Sequence, residues 1–180
     1  MCADCCAAWR PEVSEHSVLT RDVDAHVVSL GRYDGALRRC VHAVKFQGNR
    51  DVAAALAATL ARGVPLAWQV NVVCAVPLHP SRVAERGFNQ AELLGRALAG
   101  ALGCPYGPLL KRVRATRQQA RLPGAERRAN VRGAFAARPA VGYRILLVDD
   151  VFTTGATLLE CAETLRRQGA QDVRYAVIAR

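Results

Sequence analysis

Lysine is almost missing from this chain: Lys45 and Lys111 are the only two, and the other 23 of its 25 basic residues are arginine. Against 15 acidic residues this leaves a formal charge of +10. Arginine forks onto phosphate oxygens in a way an ammonium group does not match, so the balance favours phosphorylated partners, nucleic acid included. An alanine-rich chain with arginine for lysine also follows from GC-rich coding sequence, and composition does not choose between the two. Long apolar runs are lacking as well, which argues against membrane insertion, and the opening MCADCCAAWRPEV has no apolar core of the signal-peptide kind. The expected location is the cytoplasm. In that reducing compartment the 7 cysteines do not read as a disulfide framework. Cys40, Cys74, Cys104 and Cys161 lie singly in or beside apolar segments, where a small buried hydrophobe is the expected role.

What is present fits one domain: 180 residues, 51% hydrophobic, long enough for a sizeable core. The expected division is an N-terminal segment over residues 1–26 and a main domain over 27–180. The N-terminal segment has too few large apolar residues for a core but carries Cys2-x-x-Cys5-Cys6. A closed tetrahedral zinc site needs four ligands, no second C-x-x-C follows, and His16 and His26 are the remaining local candidates. A segment with no metal role stays an equal reading.

From Val27 to Tyr33 the pattern suits a strand, and Leu37, Cys40, Val41 and Val44 then fall on one helix face. Lys45 closes that helix, where it suits the dipole or a ligand. Val52, Leu56 and Leu60 mark a second helix, and the nearly continuous apolar run Val70–Val76 suits a central parallel strand. The next segment, PLHPSRVAERGFNQ, reads as a loop at the carboxyl ends of the strands, where open α/β sheets bind ligands. His79, Arg82, Arg86, Asn89 and Gln90 gather there, with Asn89 also suited to capping the helix of Leu94, Leu98 and Leu102. Leu109, Leu110 and Val113 suggest another strand. From Arg114 to Arg138 the apolar period disappears, as in a functional loop or lid. Most arginines of that excursion read as a solvated face. Arg114, Thr116, Gln118, Gln119, Arg127 and Asn130 are its candidates for contact with substrate, anion or nucleic acid. The alternation of strands and helices predicts a doubly wound, mostly parallel α/β sheet with right-handed crossovers.

One stretch concentrates the chemistry. RILLVDDVFTTGATLL, residues 144–159, runs from four apolar residues into Asp149 and Asp150, then a small-residue turn, then a helical pattern. A helix N-terminus with unpaired N–H groups and a positive dipole end suits a phosphate. Adjacent carboxylates suit ribose hydroxyls or magnesium. The ligand class is a phosphorylated sugar.

Residues 144–157 resemble the phosphoribosyl-pyrophosphate (PRPP) motif of type I phosphoribosyltransferases. More narrowly, VKFQGNRD (44–51), VPLHPSRVAERGFNQAELL (76–94), RATRQQARL (114–122), ERRANVRGAF (126–135) and ILLVDDVFTTGATL (145–158) resemble the ComF family, in that order. The resemblance implies that Asp149 and Asp150 hold the ribose hydroxyls. It implies that Thr153, Thr154, Gly155, Ala156 and Thr157 cradle the 5′-phosphate, and that Leu78 and His79 face the pyrophosphate with magnesium bridging it. It further implies DNA uptake in natural transformation, with single-stranded DNA and competence or recombination proteins as partners. Family members often begin with a zinc ribbon, of which Cys2, Cys5 and Cys6 would be the remnant. Thr153 stands where hypoxanthine–guanine enzymes of this fold carry an acid, which disfavours that salvage chemistry. An active phosphoribosyltransferase of nucleotide metabolism with an unidentified acceptor base, and a DNA-binding module using the basic excursion and the N-terminal cysteines, stay open beside the ComF-like reading.

Overall fold

The computed structural model describes residues 12–15, 26–116 and 124–180, with the main chain alone at 12–15, 124, 125, 127 and 128. A five-stranded sheet is its centre, ordered β1-β2-β7-β6-β3. β1 (Glu12–Glu15) is the antiparallel edge, and β2 (His26–Ser29), β7 (Asp172–Ala179), β6 (Arg144–Val151) and β3 (Val72–Ala75) run parallel. β6 lies between β7 and β3, with Leu147 opposite both Tyr175 and Cys74. Its apolar run is therefore buried on both faces, as the sequence pattern requires of a central parallel strand.

Alternation along β6 divides the core. Ile145 and Leu147 face one layer, with Cys161, Leu165 and Tyr175. Leu146 and Val148 face the other, with Leu37, Val41, Leu56, Leu94 and Leu98. Helices α1 (Gly35–Gln47), α2 (Arg50–Ala61) and α4 (Gln90–Leu102) cover the second face. The first is covered by α6 (Ala156–Arg167) and by a separate antiparallel ribbon of β4 (Leu110–Arg112) and β5 (Phe135–Ala137). The doubly wound, mostly parallel sheet is thus as expected. Among the described residues no helix is long and apolar enough to cross a membrane. Cys74 and Cys161 are fully buried, and Cys40 and Cys104 half-buried.

Three local expectations need correction. The segment after β3 is not all loop: α3 (Pro80–Arg86) occupies it, opened by Pro80 with His79 as N-cap and closed by Gly87 at φ 84°. Proline at the start and a left-handed glycine at the end are ordinary helix boundaries, here only seven residues apart. The strand at Leu109–Val113 forms but leaves the parallel sheet for the ribbon. The Arg114–Arg138 excursion holds α5 (Gly124–Val131) and β5, whose Phe135 packs into the core.

Gly48 shows how tightly the second face is packed. It ends α1 at φ 61°, its N–H donates to the Val44 carbonyl, and an added Cβ would lie 3.0 Å from the Phe88 ring. Gly48→Ala combines left-handed strain with that clash. It is expected to lower stability by about 1–3 kcal/mol, read as a lower denaturant midpoint at unchanged slope.

Candidate functional site

At the carboxyl end of β6 the chain turns through Phe152-Thr153-Thr154 into Gly155 and α6. Gly155 sits at φ 67°, a backbone state glycine reaches without a Cβ penalty, and this lets strand turn directly into helix. It also leaves the N-terminus of α6 without a side-chain cap and without an acidic residue in its first turn. That terminus forms one wall of an open recess with about 290 Å³ of empty volume, lined by Asp149, Val151, Phe152 and residues 153–158. Thr153 is exposed and Thr154 and Thr157 half-buried, so hydroxyls and helix N–H groups meet in one concavity. Such a wall attracts an anion by hydrogen bonds and by the helix dipole.

The two carboxylates do not share this recess. The strand's alternation turns Asp149 toward the α6 face, where it lines the recess, and Asp150 toward α1 and α4. Asp150 is 6% exposed and is met by the Lys45 ammonium at 3.0 Å and the Gln90 amide at 3.4 Å. Each carboxylate also accepts the next main-chain N–H, Asp149 from Asp150 at 2.8 Å and Asp150 from Val151 at 2.9 Å. Burial, then the Asp150 charge, push the Asp149 carboxyl well above the usual carboxylate range. Burial likewise raises the Cys161 thiol behind it, keeping it neutral, and lowers the Arg112 guanidinium.

The remaining candidates are distributed around this edge. Lys45 ends α1 as expected, yet its ammonium reaches across to Asp150. Asn89 caps α4 by accepting from Ala91 N–H at 3.0 Å, and its amide also donates to the Val76 carbonyl at 3.0 Å, fixing the loop that carries Leu78 and His79. His79 accepts from Ser81 N–H as the cap of α3. Arg82 pairs with Glu85, and Arg86 donates to Gln90 at 2.6 Å. Arg114 donates to the carbonyls of Asn130 and Arg132, tying the start of the excursion to the residues around the end of α5, and the Thr116 hydroxyl meets Arg112. Of Arg127 the main chain alone is described, in α5. Cys2, Cys5, Cys6, His16, Arg117, Gln118, Gln119 and Arg121 lie outside the described residues. His26 lies in β2 with its ring against Arg174. Sequence reading missed Arg112, whose only signal was a charge beside an apolar strand. Its guanidinium lies over the Phe135 ring at 5.4 Å.

A parallel sheet ending in an acid, a glycine turn and an open helix terminus defines a phosphoribosyl transferase domain, and the model of that family matches residues 46–180. The chain is 38% identical over 162 residues to the DNA utilization protein YhgH of Salmonella typhi, covering 86% of this chain and 71% of that one. To the competence protein F of Haemophilus influenzae it is 33% identical over 165 residues, covering 86% and 72%. The chain belongs to the ComF family of phosphoribosyl transferase-domain proteins. Among solved structures, the allosteric regulatory enzyme of purine biosynthesis shares the fold at a TM-score of 0.53 and 24% identity, over 77% of this chain and 30% of that one.

The Asp149 geometry has a consequence for stability. A carboxyl raised in the folded state favours folding while protonated and opposes it once ionised, so its contribution is lost as pH rises through the folded value. Asp149→Asn keeps an acceptor for the Asp150 N–H but removes the desolvated charge. The variant is expected to melt higher than the wild type at neutral pH, each kcal/mol recovered raising Tm by roughly 2–4 °C. The gain should shrink as pH falls through the raised folded value and be gone once pH is below the ordinary carboxyl range, as read by thermal unfolding across pH.

Proposed function

We propose that this chain binds PRPP with magnesium in the β6–α6 recess and acts in the handling of incoming DNA during natural transformation. Its partners on this reading are single-stranded DNA and competence or recombination proteins. The observation that carries the ligand is the uncapped terminus of α6 opening beside one desolvated carboxylate, Asp149. The 5′-phosphate is received by the N–H groups of α6 and the hydroxyls of Thr153, Thr154 and Thr157, and the ribose hydroxyls by Asp149. Hard carboxylate oxygens suit magnesium, and a single inward-facing carboxylate suits a cation that takes its other ligands from the pyrophosphate. Bound there, magnesium would supply charge neutralisation for the pyrophosphate. The role in DNA handling is supported by the relatives, which are named for DNA utilization and competence.

Calorimetry with PRPP and magnesium tests the site. The wild type is expected to bind, and Asp149→Asn to bind about ten- to a hundredfold more weakly, the range for losing a hydrogen bond to a charged group. Affinity should also fall on acidification from a higher pH than an ordinary carboxylate would give, because Asp149 must be ionised. Equal binding by both proteins removes the assignment.

The desolvated carboxylate also favours a second reading, a catalytically active transferase. A carboxyl that burial holds well above the usual carboxylate range accepts a proton more readily than an ordinary one, which Thr153 cannot do. The protein's contribution would then be positioning of PRPP and stabilisation of developing charge. Pyrophosphate release should depend on one particular base and collapse in Asp149→Asn. PRPP binding with no turnover across a panel of bases leaves the binding role alone.

A further inference from the structure

Helix α1 carries an exposed ladder of rings and guanidinium groups that the recess does not use. Tyr33 stacks on His42 at 6.4 Å between centroids with an interplanar angle of 30°, and His42 meets Phe46 at 5.0 Å. The Arg38 guanidinium lies 6.0 Å over Tyr33, and Arg86, from α3, lies 5.8 Å over Phe46. Arg38, His42 and Phe46 follow at i, i+4 and i+8, so they line one stripe of the helix surface. Phe46 is 60% exposed, a large apolar ring left in solvent at a helix end. α1 has no carboxylate in its thirteen residues. In the adjoining turns Asp34 and Glu85 are each paired with an arginine, Arg32 and Arg82.

We infer that this stripe binds single-stranded nucleic acid, the bases stacking on Phe46, His42 and Tyr33 and the phosphates meeting Arg38 and Arg86. An apolar protein partner would be served by aliphatic residues, whereas rings alternating with planar cations suit unpaired bases linked by phosphates. Stacking on rings is sequence-tolerant because every base offers a π-face, and the cations add a salt-dependent attraction. A duplex hides those faces, so single strands are preferred. The inference rests on the proposed role for its ligand class, but not on PRPP occupying the recess.

Fluorescence anisotropy with a labelled oligothymidylate, on the full chain without PRPP, tests it. Phe46→Ala is expected to weaken binding about tenfold, as for the loss of one stacking platform, while Phe46→Trp retains it. Arg38→Gln should flatten the dependence of log affinity on log salt by about one phosphate's worth. PRPP calorimetry on Phe46→Ala should match the wild type, which separates a failure of the stripe from a failure of the recess. Unchanged oligonucleotide binding in Phe46→Ala, or equal affinity for duplex of the same length, overturns the inference. A change of oligomeric state in Phe46→Ala, with DNA binding intact, would assign the stripe to a second copy of the chain instead.

Discussion

The alternation of side chains along β6 is the constraint on which the site depends. Successive residues of a strand face opposite sides, so Asp149 lines the recess while Asp150 turns to Lys45 and Gln90, the two carboxyls staying close enough for the Asp150 charge to raise Asp149. Asp149 is left facing α6 with its charge little compensated, and Asp150 is drawn into a polar cluster under α1 and α4. The two acids therefore do different things. One lines the recess, and the other joins two helices to the sheet.

The Asp150 cluster is built at some expense. Its carboxylate is nearly buried, and the Lys45 side chain is one-third exposed, so the pair lies between a surface bridge worth little and a buried one that is costly to break. What makes it worth retaining is position. Lys45 closes α1, Gln90 opens α4, and Asp150 ends β6, so one carboxylate fixes three element ends to each other within 3.4 Å. Asn89 adds a further tie, capping α4 while holding the Val76 carbonyl. The loop bearing Leu78 and His79 is thereby tied at Val76 to the start of α4.

The parts legible in the sequence are those whose signals are local. The apolar run, the glycine at 155 and the helical period after it are contiguous, so strand, turn and helix could be read off together, along with a phosphate-seeking terminus. Lys45 meets Asp150 across 105 positions of sequence, and no local pattern carries that. The side each acid faces was not legible either, because pairing of the letters DD says nothing of where the strand stops. α3 had its boundary signals in Pro80 and Gly87 but too few residues between them to show a period. β4 reads correctly as a strand, whereas its place in a ribbon with β5 is decided by where Phe135 packs, twenty-three residues after Arg112. Val13 alone gave no hint of β1, an edge strand held through its main-chain pairing with β2.

The arginine surplus is what the structure relocates. The lining of the recess holds no arginine or lysine among the described residues, and its wall at the α6 terminus is made of N–H groups, hydroxyls and a helix dipole. The arginines that the sequence places at the same edge are committed elsewhere, Arg82 to Glu85, Arg86 to Gln90 and Arg114 to two carbonyls. Others form helix-surface pairs, Arg96 with Glu92 and Arg167 with Glu163, of the kind that contributes little to stability. Neither the lining of the recess nor the helix-surface pairs therefore account for a charge of +10. Arg38, exposed and lying over the Tyr33 ring, is arranged for contact rather than for pairing. Arg86 serves both sides, its guanidinium lying over Phe46 while bonding to Gln90, which touches Asp150. The aromatic stripe and the cluster behind the recess thus share one side chain.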